Sequence, residues 1–160
     1  MTLELYRIDD RLIHGQVVVG WGQPLDIGFI VLVDDTVARS DWEQELYRMG
    51  VPPEMEVYFH TANDAVGALA KYRADPRHGL LLTGDIATMR RLVDAAGVRA
   101  VNVGGIHAGM GRTQRLRYVF LSPDEERQLR ELGTRAEVTA RDVPGARLVS
   151  LNDLLAGDEP

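Results

Sequence analysis

The chain has 160 residues, enough for one compact domain with a sizeable core and too few for two of ordinary size. Its hydrophobic share of 45% and charged share of 26% are those of a soluble globular protein, no apolar run reaches membrane-spanning length, and the start lacks a basic-then-apolar leader, so the expected compartment is the cytoplasm. A net charge of −6 argues against general nucleic-acid binding, and the absence of cysteine excludes disulfide and thiolate chemistry.

Apolar and helical patterns alternate along the chain. Leu3, Leu5 and Tyr6 form a short strand, and Gln16 to Trp21 reads as the start of a helix. Gly28 to Val33 is a continuous apolar run suited to a strand covered on both faces. Ser40-Asp41-Trp42-Glu43 has capping-box spacing, which predicts a helix to about Met49; Pro52 and Pro53 then break the chain before a strand over Met55 to Phe59. Thr61 is the expected cap of a helix through Tyr72, Gly79 to Thr83 the next strand, and Ile86 to Ala96 a helix stopped by Gly97. After a strand at Ala100 to Val103 comes a glycine-rich loop, then a strand at Tyr118 to Leu121 and the capping box Ser122-Pro123-Asp124-Glu125. A helix ending near Gly133, a strand over Ala136 to Ala140 and a short helix over Leu151 to Leu155 complete the pattern.

This alternation predicts a single α/β domain over residues 1–156, with a loose tail at 157–160. The expected architecture is an open, mainly parallel twisted sheet of six to seven strands with helices on both faces. In such folds ligands bind beyond the carboxyl ends of the strands, where the strand order reverses, which directs attention to the loop after the first strand.

That loop, Arg7-Ile8-Asp9-Asp10-Arg11-Leu12-Ile13-His14-Gly15-Gln16, concentrates two arginines, two acids and an imidazole. Arginine presents a planar fork that matches phosphate oxygens, and a helix start offers free N–H groups to an anion. Imidazole, with a reference pKa near 6.5, is nucleophilic at neutral pH and able to accept a phosphoryl group and hand it on. His14 is therefore the candidate nucleophile, with Arg11 and then Arg7 as phosphate partners. Asp9, Asp10, Gly15 and Gln16 are expected to support the loop. The alternative for His14 is a hydrogen-bonded structural histidine.

A second loop, from Asn102 through Gly104, Gly105 and His107 to Arg112, is expected to lie beside the first, its backbone approaching a phosphate or a partner surface. It is not a nucleotide loop. Counting back from Gly111-Arg112-Thr113 puts Ile106 where a P-loop needs glycine, and the lysine is missing. Arg115 and Arg117 are further candidates for charge near the crevice. His60, His78 and His107 lack the spacing of a helical metal site, so no metal is expected.

The string Arg7 to Val17, RIDDRLIHGQV, resembles the active-site loop of the IIB components of the mannose/fructose/sorbose class of the bacterial sugar phosphotransferase system. Val31-Leu32-Val33-Asp34-Asp35, Val101-Asn102-Val103-Gly104-Gly105 and Arg112-Thr113-Gln114 leading to Val119-Phe120-Leu121-Ser122 also look like landmarks of that family, in order across most of the chain. The resemblance implies that His14 is transiently phosphorylated, at Nδ1, by a phosphohistidine on a IIA component. It also implies that the group passes to a sugar brought by membrane components IIC and IID, the activity of a protein-Nπ-phosphohistidine–sugar phosphotransferase. No cofactor is implied, since the donor is already energised. A second copy of the chain is a further candidate partner. Two other readings stand beside it: a regulatory phosphoacceptor that keeps the loop but feeds no transporter, and, by fold-level analogy alone, an unrelated phosphate-ester hydrolase on the same architecture.

Overall fold

The computed structural model describes residues 3–157. Seven strands form one sheet in the spatial order β3-β2-β4-β1-β5-β8-β9, where β1 is Leu3–Ile8, β2 Ile27–Val33, β3 Glu56–His60, β4 His78–Thr83, β5 Ala100–Val103, β8 Glu137–Ala140 and β9 Val149–Ser150. All neighbours are parallel except β8 and β9. Two further strands, β6 at Thr113–Leu116 and β7 at Val119–Leu121, make a separate antiparallel hairpin. The helices are α1 (Asp41–Met49), α2 (Ala62–Ala74), α3 (Ile86–Ala96), α4 (Pro123–Leu132) and α5 (Leu151–Ala156).

The period-2 geometry of a strand sorts each apolar run onto two faces. In β2, Phe29, Val31 and Val33 join the core beneath α2 to α5, while Ile30 and Leu32 join a second core with the loop residues Leu12, Ile13 and Val17. In β1, Ile8 enters the first core and Leu5 lies against the second. Arg7 has the parity of Leu5 and therefore points to the second face. A register irregularity between Leu3 and Leu5 lets Leu3 rejoin the first core.

Helix starts are where the sequence places them. The side chains of Ser40, Thr61, Asp85, Ser122 and Ser150 each accept a backbone N–H from three residues on, and Ser122 and Glu125 complete the reciprocal box. Gly97 and Gly157 end α3 and α5 in the left-handed conformation at φ 69° and 74°. Three features differ from the expectation. Gln16–Trp21 is a π-helical turn, in which the Gly22 N–H reaches back to the carbonyl of Val17. β6 is too short and polar to show a strand pattern. β9 has only two residues. Of the predicted tail at 157–160, Gly157 closes α5 and residues 158–160 lie outside the described part.

β1 and β5 end side by side, Ile8 opposite Val103, but their chains leave on opposite faces. After β1 the π-helical turn packs into the second core; after β5 the chain runs through the β6–β7 hairpin to α4, whose Leu129 and Leu132 sit in the first. This divergence creates the crevice at which the two loops meet.

Candidate active site

Asp9 organises the crevice. Its side chain is fully buried and its backbone N–H is fixed by the carbonyl of Thr83. Its carboxylate receives Arg7 Nη2 at 3.1 Å, Arg11 Nε at 3.3 Å and the Arg11 backbone N–H at 3.2 Å. His14 Nε2 lies 3.3 Å from Asp9 Oδ2, close enough for electrostatic attraction although not aligned as a hydrogen bond. Burial alone would push the Asp9 carboxyl up. His14, Arg7 and Arg11 together outweigh it and hold the group well below the usual carboxylate range.

The loop turns on Leu12, a non-glycine residue at φ 60°, which lets Leu12 and Ile13 bury in the second core while His14 emerges from it. About 18% of the His14 side chain stays open to solvent, whereas its Nε2 edge is buried. The Gln16 backbone N–H donates to Nδ1 at 3.3 Å. An accepting Nδ1 carries the lone pair, so the ring proton sits on Nε2, facing Asp9.

Arg11 is 36% exposed and is held between Asp9 and the Gln16 side-chain oxygen. It is the cation that the loop offers to the open side. Arg7 is not, and the expectation that it holds the phosphoryl group is corrected here: its side chain is fully buried. Its guanidinium donates to Asn102 Oδ1, to Asp9 and to the carbonyls of Arg141 and Asp142, and lies 5.1 Å from the centre of the Trp21 ring. Burial lowers the Arg7 pKa, with Asp9 and Asp142 acting against that shift.

Gly104 explains itself against this arginine. A Cβ there would lie 2.2 Å from Arg7 Cζ, and one on Gly105 would lie 3.1 Å from Asp9 Oδ1. The double glycine thus closes on the buried arginine and carboxylate rather than on open solvent. Gly15, by contrast, has free space around it, and its φ of −53° is open to any residue.

The second loop is fastened to the first through Asp10. Asp10 Oδ2 accepts the His107 backbone N–H at 2.8 Å, Oδ1 contacts His107 Nδ1 at 2.5 Å, and the Asp10 N–H donates to the Gly105 carbonyl at 2.9 Å. Arg112 donates to the His107 carbonyl at 2.8 Å and pairs with both oxygens of Glu125 at 2.9 Å, tying the loop to the start of α4. This bonding raises the Arg112 pKa; for Glu125, the upward push of burial is overcome by Arg112 and Ser122, and its pKa falls. Arg115 is turned away onto Glu126, while Arg117 pairs with Asp142 at 3.2 Å and lines a cleft of about 280 Å³ with Arg11, Gln16, Gly105 and His107.

Sequence reasoning missed Trp21, Arg141 and Asp142. Trp21 covers the Arg7 guanidinium and donates from its indole N–H to the Asp142 carbonyl at 2.9 Å. The Arg141 and Asp142 groups that hold Arg7 are backbone carbonyls, which leave no trace in side-chain identity. Among the described residues no group of three or more His, Asp or Glu side chains is arranged to hold a metal ion.

Residues 3–159 match the model of the PTS system sorbose subfamily IIB component. The chain belongs to this family. Its members are phosphotransferases of the phosphoenolpyruvate-dependent sugar phosphotransferase system, and this chain is a phosphotransfer subunit of that type. The N-acetylgalactosamine-specific phosphotransferase enzyme IIB component 1 of Escherichia coli K12 is 33% identical over 155 residues, covering 93% of this chain and 96% of the relative. The sorbose-specific EIIB component of Lacticaseibacillus casei is 28% identical over 99% of this chain and 100% of its own length. The crystal structure of the IIBSor domain of the Klebsiella pneumoniae sorbose permease superposes with a TM-score of 0.87 at 26% identity, over 99% of both chains. For this IIB chain, no helix among the described residues is long and apolar enough to cross a membrane.

Proposed function

We propose that His14 is the residue through which this IIB subunit relays phosphate, at Nδ1. The chain takes the group from a phosphohistidine on a cytoplasmic IIA protein or domain and delivers it to a sugar admitted by the IIC and IID membrane components. The observation that carries the reading is the polarisation of the ring: Nε2 faces the buried Asp9 carboxylate, and Nδ1 accepts the backbone N–H of Gln16, the residue whose side chain holds the exposed Arg11.

In the loading step the Nδ1 lone pair forms a bond to phosphorus as the bond from phosphorus to the donor imidazole breaks, and the departing ring keeps that electron pair. The reacting atoms lie in line, so the protein contributes position and charge. Arg11, with a guanidinium fork able to engage two oxygens, stabilises the charge spread over the transferring group. The Gln16 N–H, no longer needed by the Nδ1 lone pair, is placed for a phosphoryl oxygen. Asp9 keeps the ring proton on Nε2 through both steps. Arg7, with Asn102, positions Asp9 and touches no phosphate. Asp10, His107 and Arg112 hold the second loop against the first, and Gly104 and Gly105 let it close. Delivery reverses the chemistry with a sugar hydroxyl as nucleophile, its proton leaving to solvent or a base of the membrane component. The donor is already activated, so neither ATP nor a resident metal is required. The proposed unit is one domain over residues 1–156, working in the cytoplasm.

The test is mass-spectrometric mapping after incubation with phosphoenolpyruvate, the general phosphotransferase proteins and a cognate IIA. One phosphoryl group on His14, absent from a folded His14→Ala variant, is expected. Full labelling of His14→Ala would overturn the assignment. Membrane vesicles holding IIC and IID, supplied in turn with N-acetylgalactosamine and sorbose, then identify the sugar.

A further inference from the structure

We propose that the outward face of α1, formed by Trp42, Leu46 and Met49, is the surface on which the chain docks to the basic cytoplasmic face of its membrane-embedded partner. The inference rests on the relay function proposed above and names the contact that function needs.

Positions 42, 46 and 49 follow the i, i+4, i+7 spacing that lines residues along one stripe of a helix. A surface helix ordinarily turns such a stripe inward. Here it is turned out: Trp42 is 68% exposed, Leu46 55% and Met49 78%, and α1 buries none of its residues. What faces the protein is polar or amphipathic. The Gln44 amide donates to the carbonyls of Val37 and Ala38, and Tyr47 packs on the second core. The helix is anchored by hydrogen bonds and one ring, and its apolar stripe is left for something else. A contiguous Trp, Leu and Met surface on an otherwise well-packed domain marks an interaction site.

Charge selects the occupant. α1 carries Asp41, Glu43 and Glu45 against a single Arg48, and Arg48 is drawn back over the Phe59 ring, 5.1 Å from its centre. This acidic rim on a chain of net charge −6 opposes an anionic lipid surface, and it opposes a second copy of the same helix. It fits a cationic partner. Cytoplasmic loops of integral membrane proteins carry an excess of Lys and Arg beside apolar segments, which is the complementary chemistry.

Position completes the argument. Ile8 and Val33 both lie opposite Thr83, so β1 and β2 end at one level, two strands apart, about 10 Å across the sheet. The chain leaves β2 at the edge that bears His14 and starts α1 from there, with Trp42 in its first turn. Tyr47 of α1 and Leu12 and Ile13 of the His14 loop also pack in the same core, so a partner gripping this helix approaches the sheet on the face and at the end from which His14 emerges.

Leu46→Glu and Trp42→Ser alter exposed side chains outside the relay machinery, and the second adds no charge. Each is loaded from phospho-IIA and titrated into inverted vesicles holding the cognate IIC and IID components. His14 labelling at the wild-type rate certifies the fold of each variant. The expected result is unchanged labelling, with the IIB concentration for half-maximal sugar phosphorylation raised at least tenfold in Leu46→Glu and severalfold in Trp42→Ser. Unchanged half-saturation in both would overturn the docking assignment while leaving the relay intact. A concentration-dependent dimer dissolved by Leu46→Glu, with sugar phosphorylation untouched, would overturn it in favour of self-association. A wild-type chain that is labelled on His14 but phosphorylates no sugar would instead refute the transport function on which the docking surface depends.

Discussion

Asp9 and Asp10 are neighbours in sequence and opposites in environment. Asp9 is sealed from solvent with Arg7, Asn102 and the carbonyls at 141 and 142, whereas Asp10 binds an imidazole that is 60% exposed. The two halves of the site look alike as contact maps, each an acid holding an arginine or histidine. Their energetics differ because a charge without its partner is costly in the interior and cheap in water. The buried half sets where His14 stands; the exposed half fastens the second loop to the first.

This contrast is sharpest for Arg7. Arg7→Ala removes the fully buried cation from the Asp9 carboxylate and unpairs the Asn102 oxygen and the Arg141 carbonyl, so unfolding stability is expected to fall by about 3–5 kcal/mol, measured by urea titration. A loss below ~1 kcal/mol would show that the buried half tolerates an open charge. Acid titration probes the same hub through Asp9. Its carboxyl is depressed in the folded state, so its stabilising contribution is complete above the unfolded-state value of about 3.9 and is lost progressively as pH falls from there toward the folded value. Asp9→Asn is expected to be less stable at pH 7 and to show a flatter decline between about pH 5 and 2; parallel curves would remove Asp9 from the linkage.

Arg11 lies at the boundary between the two halves. Arg11→Lys keeps charge and loses the fork, and an expected tenfold slowing of phosphoryl transfer, about 1.4 kcal/mol in barrier, should appear with no change in melting temperature. A wild-type rate in stopped-quench labelling would deny Arg11 contact with the phosphoryl group. The smallest effect belongs to the exposed clasp. His107→Ala is expected to cost at most about 1 kcal/mol of stability. A loss equal to that of Arg7→Ala would erase the distinction between the halves.

Much of this was legible in the residues. The cap at Ser122, the stop at Gly97 and the buried run of β2 are local signals, carried by side-chain hydrogen bonds, backbone conformation and strand periodicity within a few residues. The density of charge in the first loop marked the site for the same reason. The role of Arg7 was not legible, because Arg7 and Arg11 are the same residue type four positions apart. Strand parity sends Arg7 beneath Trp21, while the turn at Leu12 follows Arg11 and leaves it at the surface. Nor was β6 visible, since its four residues become a strand only by pairing with β7.

By itself, then, the sequence determined the alternation of strands and helices and the charged crevice loop with its histidine, all of which depend on neighbours in the chain. Tertiary structure alone decided which arginine is buried, which glycine must stay glycine and which face of α1 meets solvent. Those outcomes turn on burial, and burial depends on groups as far off as Arg141, 134 positions from the Arg7 guanidinium that its carbonyl holds.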